Sequence, residues 1–200
     1  MEYRLVRVSK DGMIVKIKIK GWLDMKGKLI KIKDFYSPQL KNTRNILIYL
    51  PPGYDEDKRY PVLYMHDGQN LFDKNTSFSK IEWKVDETLN ELITTGKIKS
   101  IIVVGIYNNS DRLSEYSPWY NERYKAGEKG EKYIEFIINT LKPHIDDKFS
   151  TNKEENYIGG FSMGGLILLY ALKYPFFKGA IVMSPSLFLE IQKYLKKLKM

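Results

Sequence analysis

The sequence predicts an α/β fold built on a mixed sheet. Beyond residue 51, short aliphatic runs alternate with amphipathic helical patterns, and those runs are apolar on both faces, as in a parallel sheet covered by helices. The first 50 residues instead alternate apolar and polar side chains, as antiparallel strands with one wet face do. At 200 residues the chain makes one domain, with an antiparallel part at 1–50 and a parallel α/β part at 51–200.

Each element follows in order. From Tyr3 to about Leu50 the pattern reads as a meander with turns at Asp11-Gly12, Gly27 and Ser37-Pro38. In Val15-Lys16-Ile17-Lys18-Ile19-Lys20 the lysines line a wet face, where they also protect a sheet edge from pairing with other chains. After Pro51-Pro52-Gly53, strands are predicted at 60–65, 100–106, 157–161 and 180–183, and helices near 85–95, 131–145, 163–172 and 187–198. Lys193, Lys196, Lys197 and Lys199 complement the dipole at the end of the last helix.

Composition excludes several chemistries. With no cysteine, a disulfide scaffold, a thiolate metal site and a thiol nucleophile are ruled out, and two histidines, His66 and His144, do not make a His-rich metal site. No phosphate loop or dinucleotide fingerprint is present, so neither cofactor nor metal is expected. The net charge of +9 raises the question of a nucleic-acid or membrane partner. Residues 1–45 hold twelve basic and four acidic side chains, however, and the rest hold twenty-one and twenty, so the surplus belongs to strand faces and neither partner is expected. With neither a signal peptide nor a membrane span in the sequence, the expected compartment is the cytoplasm.

In an α/β sheet ligands bind at the carboxyl ends of the strands. Four such ends carry polar or glycine-rich segments: His66 to Asn70, Tyr107 to Asn109, Gly160 to Gly164, and Ser184-Pro185-Ser186. Gly160-Phe161-Ser162-Met163-Gly164 fits G-x-S-x-G, in which a serine sits on a strand-to-helix turn too tight for side chains two positions away. Ser162 is therefore the candidate nucleophile. The N–H of Met163 supplies one oxyanion donor, and that of Gly68 or Gln69, in the loop after the neighbouring strand, supplies the second.

These residues resemble a known family. Tyr49-Leu50-Pro51-Pro52-Gly53-Tyr54, the run from Tyr60 to Phe72, Trp83 with Asp86, Arg112 with Glu115-Tyr116, and Gly159 to Gly165 leading to Ser184-Pro185-Ser186 are together similar to the esterase family of α/β-hydrolases. That group includes enterochelin esterases, feruloyl and acetylxylan esterases and S-formylglutathione hydrolase. The resemblance implies an α/β-hydrolase three-layer sandwich, a small-molecule ester substrate, an acyl-enzyme on Ser162, and an acyl or leaving-group pocket lined by Asp67 to Gln69 and Trp83; His66, at the same strand end, is a further candidate for substrate contact. Trp83 also reads as a core residue.

In that fold the acid and the histidine of the triad follow the serine. The thirty-eight residues after Ser162 contain neither histidine nor aspartate, and Glu190 is their one acid. The expectation is a domain lacking its last two strands, and two readings stand: a serine carboxylesterase, or a catalytically incomplete protein that binds without turnover. His66, oriented by Asp67 or Asp86, is the substitute base to consider, with His144 placed on a flanking helix. The strand of Ala180, Ile181, Val182 and Met183 would then be an apolar edge prone to self-association. Arg112 and Glu115 are spaced to pair with each other.

Overall fold

The structure, a computed structural model, describes residues 4–7, 14–17 and 26–187. Strands β1 (Arg4–Arg7) and β2 (Ile14–Ile17) pair antiparallel as a sheet of their own, whereas the sequence pattern suggested a single meander. The turn at Asp11-Gly12, Lys18 to Lys20 and the helix expected at 187–198 fall outside the described residues, except for Leu187.

The main sheet has six strands: β3 (Lys28–Ser37), β4 (Asn42–Leu50), β5 (Tyr60–His66), β6 (Ile102–Ile106), β7 (Thr151–Phe161) and β8 (Gly179–Met183), in spatial order β3-β4-β6-β5-β7-β8. β3, β4 and β6 pair antiparallel, and β6, β5, β7 and β8 run parallel. Residues 51–187 thus form the parallel part and β3–β4 the antiparallel start. At one edge, β3 exposes Lys28, Lys31 and Lys33, a charged margin that deters further pairing. β8 is outermost at the other among the described residues, with Ile181 49% exposed.

Strand alternation sends side chains to opposite faces and makes three layers. Val62, Tyr64, Val104 and Ile158 face the helical run from α3 (Gly130–Phe136) through a π turn (Ile137–Leu141) into α4 (Lys142–Lys148), together with α5 (Met163–Ala171). Leu63, Met65 and Val103 face the other way, toward Leu71, Phe72 and the apolar side of α1 (Val85–Thr94). A short helix, α2 (Arg112–Glu115), lies in the connection after β6. No helix among the described residues is long and apolar enough to cross a membrane.

β5 is the pivot. The chain leaves it to form β6 on one side, then returns to place β7 on the other, which opens a crevice beyond the carboxyl ends of β5 and β7.

Candidate active site

β7 ends in the glycine-framed turn. Ser162 takes φ 58° and ψ −117°, a conformation few residues with a side chain adopt, at a cost of roughly 1–3 kcal/mol. Main-chain bonds hold it there. Its N–H donates to the Met183 carbonyl at 3.0 Å, and its own carbonyl accepts from Leu166 N at 3.0 Å and Ser186 N at 3.1 Å. The flanking glycines are required by space: a Cβ at Gly160 would lie 2.9 Å from both the Gly164 carbonyl carbon and His66 Cδ2, and one at Gly164 would lie 3.3 Å from His66 Cβ. Met163 opens α5, so its N–H has no acceptor inside the helix and stands at the positive end of the dipole.

The loop after β5 is strained in a second way. Asp67 is left-handed at φ 56° and ψ 44°, and the 3₁₀ turn Gly68–Asn70 follows. A Cβ at Gly68 would lie 2.5 Å from the Gly105 carbonyl carbon, so glycine lets this turn press onto β6. The Asp67 carboxylate accepts from Arg112 Nε and Nη2, both at 2.8 Å, and from Asn108 Nδ2 at 2.6 Å, while its N–H donates to the Tyr116 hydroxyl at 3.2 Å. Burial alone would raise the Asp67 carboxyl, but the hydrogen bonds and charge of Arg112, with the Asn108 amide, hold it below the usual carboxylate range.

Between the two loops lies a cleft of about 530 Å³ lined by Asp67, Gln69, Asn70, Phe78, Trp83, Asn108, Arg112, Phe161 and Ser162. The Trp83 and Phe161 rings meet edge to face at 6.1 Å, and Phe78 is 93% exposed at the rim. The structure thus brings Ser162, Asp67, Gln69 and Trp83 around one space. Gly68 and Met163 are buried, next in sequence to the cleft residues Asp67, Gln69 and Ser162.

His66 departs from the expectation of a substrate contact. It shares strand parity with Val62 and Tyr64, so its ring points under the sheet, fully buried, with Nδ1 2.8 Å from the Tyr133 hydroxyl. Nε2 has no partner, and burial lowers the imidazole to about 4, so the ring is neutral near pH 7. Neither Asp67 nor Asp86 orients it: Asp67 is clamped by Arg112, the imidazole's hydrogen-bond partner is Tyr133, and Asp86 is raised to about 6 by burial and by neighbouring Glu87 and Glu82. His144 packs its ring edge against Phe35 at 5.0 Å, on the helical flank.

Arg112 and Glu115 do not pair with each other. Glu115 is fully buried against Arg44 of β4, with both Arg44 terminal nitrogens donating at 2.8–2.9 Å, and Arg112 turns to Asp67. Arg112, Asn108, Phe161 and Phe78 are cleft residues that the sequence reading did not assign. The signal available for Asn108 was its place at a strand end. Among the described residues no cluster of three or more His, Asp or Glu side chains suits a metal ion.

The chain is similar to known proteins in both sequence and fold. Residues 37–190 match the family model described as "Putative esterase". Ferri-bacillibactin esterase BesA of Bacillus subtilis (strain 168) is 28% identical over 174 residues, which is 78% of this chain and 58% of that protein. Endo-1,4-beta-xylanase Y of Acetivibrio thermocellus is 30% identical over 154 residues, 70% of this chain and 12% of that one. The crystal structure of an IroE-like serine hydrolase from Shewanella oneidensis has a TM-score of 0.70 at 28% identity, covering 87% of this chain and 55% of its own. The chain therefore spans less than two thirds of the length of each of these proteins.

Proposed function

The chain belongs to the esterase family whose model it matches over residues 37–190, and from that premise we propose that it cleaves a small-molecule carboxylic ester through an acyl-enzyme on Ser162. The observation that carries the proposal is the strained Ser162 turn bordering the 530 Å³ cleft, with the opening of α5 beside it.

In the first step Ser162 Oγ attacks the ester carbonyl carbon and forms a C–O bond, while the carbonyl oxygen takes up negative charge. The N–H of Met163 and that of Gly68 or Gln69 donate to this oxygen, dipoles fixed before the charge appears. Collapse of the tetrahedral species breaks the bond to the leaving alcohol, which departs with the proton that Ser162 Oγ gave up. Water then attacks the acyl carbon and releases the acid and free Ser162. Trp83 and Phe161 form an aromatic wall for the substrate.

A second reading is favoured by one observation. The hydrogen-bond partner of Ser162 Oγ is Ser186 Oγ at 2.9 Å, and among the described residues no imidazole is hydrogen-bonded to it. A protein that binds an ester without turning it over fits that arrangement. Fluorophosphonate treatment followed by peptide mass spectrometry tests the nucleophile: an adduct on Ser162 is expected, and an unmodified Ser162 rejects the esterase reading. Turnover of a p-nitrophenyl ester that disappears in Ser162→Ala decides against the binding reading.

A further inference from the structure

We propose that Ser186 is a positioning residue that fixes the Ser162 hydroxyl and stabilises the negative charge Oγ acquires as it becomes a nucleophile. The proposal rests on Ser162 being that nucleophile.

Ser186 comes from the end of β8, the strand beside β7, and is tied to Ser162 twice. Its N–H donates to the Ser162 carbonyl at 3.1 Å, and its Oγ lies 2.9 Å from Ser162 Oγ. A third tie, Ser162 N–H to the Met183 carbonyl, closes the strap from the other end. Between them the chain reverses at Ser184, with φ 40°, and Pro185 presses on α5 so closely that a Cβ at Gly165 would lie 3.2 Å from Pro185 Cα. The strap therefore has little room to drift. Ser186 is 5% exposed, whereas Ser162 opens onto the cleft, so one hydroxyl of the pair is reserved from solvent and the other is presented to it.

A hydroxyl both donates and accepts. At rest the pair satisfies itself in either direction. As Oγ of Ser162 loses its proton to solvent, the Ser186 hydroxyl has only to rotate to donate to it, and a hydrogen bond to an ionised oxygen is about twice as strong as a neutral one. The preference lowers the proton affinity of Ser162 Oγ and selects one of its three staggered rotamers. Nothing in this role requires Ser186 to touch substrate.

The test is the pH dependence of Ser162 labelling by a fluorophosphonate, followed on the whole chain by mass spectrometry. Ser186→Ala is expected to label about ten-fold more slowly near neutral pH, with the alkaline rise in rate displaced upward by about one pH unit. Ser186→Thr, which keeps the hydroxyl, is expected to restore the wild-type profile. A folded Ser186→Ala protein with wild-type rate and profile overturns the proposal, because a merely structural role would change stability and leave the profile in place. Should the alanine variant not fold, Ser186→Cys supplies a weak donor of similar volume. Its displaced profile would support the proposal and an unchanged one would overturn it. Absence of any adduct in the wild-type protein instead rejects the nucleophile assignment, and this inference with it.

Discussion

The two loops that frame the cleft reach similar backbone strain by opposite means. At the end of β5, Asp67 is left-handed and its own side chain holds it there, clamped by Arg112 and Asn108. At the end of β7, Ser162 is at least as strained, but main-chain bonds to Met183, Leu166 and Ser186 and the bare flanks of Gly160 and Gly164 hold it. The difference teaches where chemistry can live. A residue that uses its side chain to keep its own backbone in place has none to offer a substrate; one held by its neighbours does.

The most damaging way to break the first loop is Arg112→Ala. It leaves the buried Asp67 carboxylate without its counter-ion, and because Arg112 is itself 28% exposed, the loss is expected at about 3 kcal/mol, the low end of the range for breaking a buried pair. Urea unfolding measures it, and a loss under 1 kcal/mol would show that the clamp does not hold the loop.

Acid separates the loops next. His66, beneath the Ser162 turn, is lowered from 6.5 to about 4, so as pH falls the unfolded chain takes up its proton first. Its contribution is complete above about pH 6.5, declines below that, and is gone below about 4, a loss of about 3 kcal/mol. His66→Gln, which can keep a partner for Tyr133, is expected to flatten stability across this window. The Asp67 clamp, whose carboxyl is lowered, is lost only at still more acid pH.

Gly160→Ala breaks the second loop sterically. Its new methyl group meets main chain and imidazole at 2.9 Å, so a cost of about 2 kcal/mol is expected, with fluorophosphonate labelling of Ser162 falling further than that of a surface control. Thermal melts and labelling rates together check it. The smallest effect sharpens the contrast: Phe78→Ala at the rim should change stability by less than about 0.5 kcal/mol, because the ring is exposed, yet slow labelling by probes with bulky aromatic groups.

Much of this was legible in the sequence. The buried strands β5 and β6 and the helices at 85–94 and 163–171 follow from apolar runs and period, and the glycines around Ser162 announce a turn because no other residue fits. β7 begins six residues before the expected strand, at Thr151 rather than 157, since its polar first half lies where the strand is half exposed and carries no apolar signal. Arg112 illustrates a different limit. Spacing proposes Glu115, three residues away, whereas the structure gives Glu115 to Arg44, a partner 71 residues distant. Local sequence reports which groups can pair, and only topology decides which do. His66 was misjudged on parity, because a strand's last residue and the next one point to opposite faces.

The π turn at Ile137–Leu141 has a consequence for the support beneath the Ser162 turn. Such a turn carries one residue more than an α-helix needs and so changes the rotational phase of everything before it relative to everything after it, by about 100° per residue. Downstream the helix is moored by Lys142, Asp146 and Thr151, and upstream Tyr133 must meet the His66 ring. The extra residue acts as a vernier between these two anchorages. Returning the segment to regular winding would swing Tyr133 away from the imidazole under the Ser162 turn while leaving the moorings untouched.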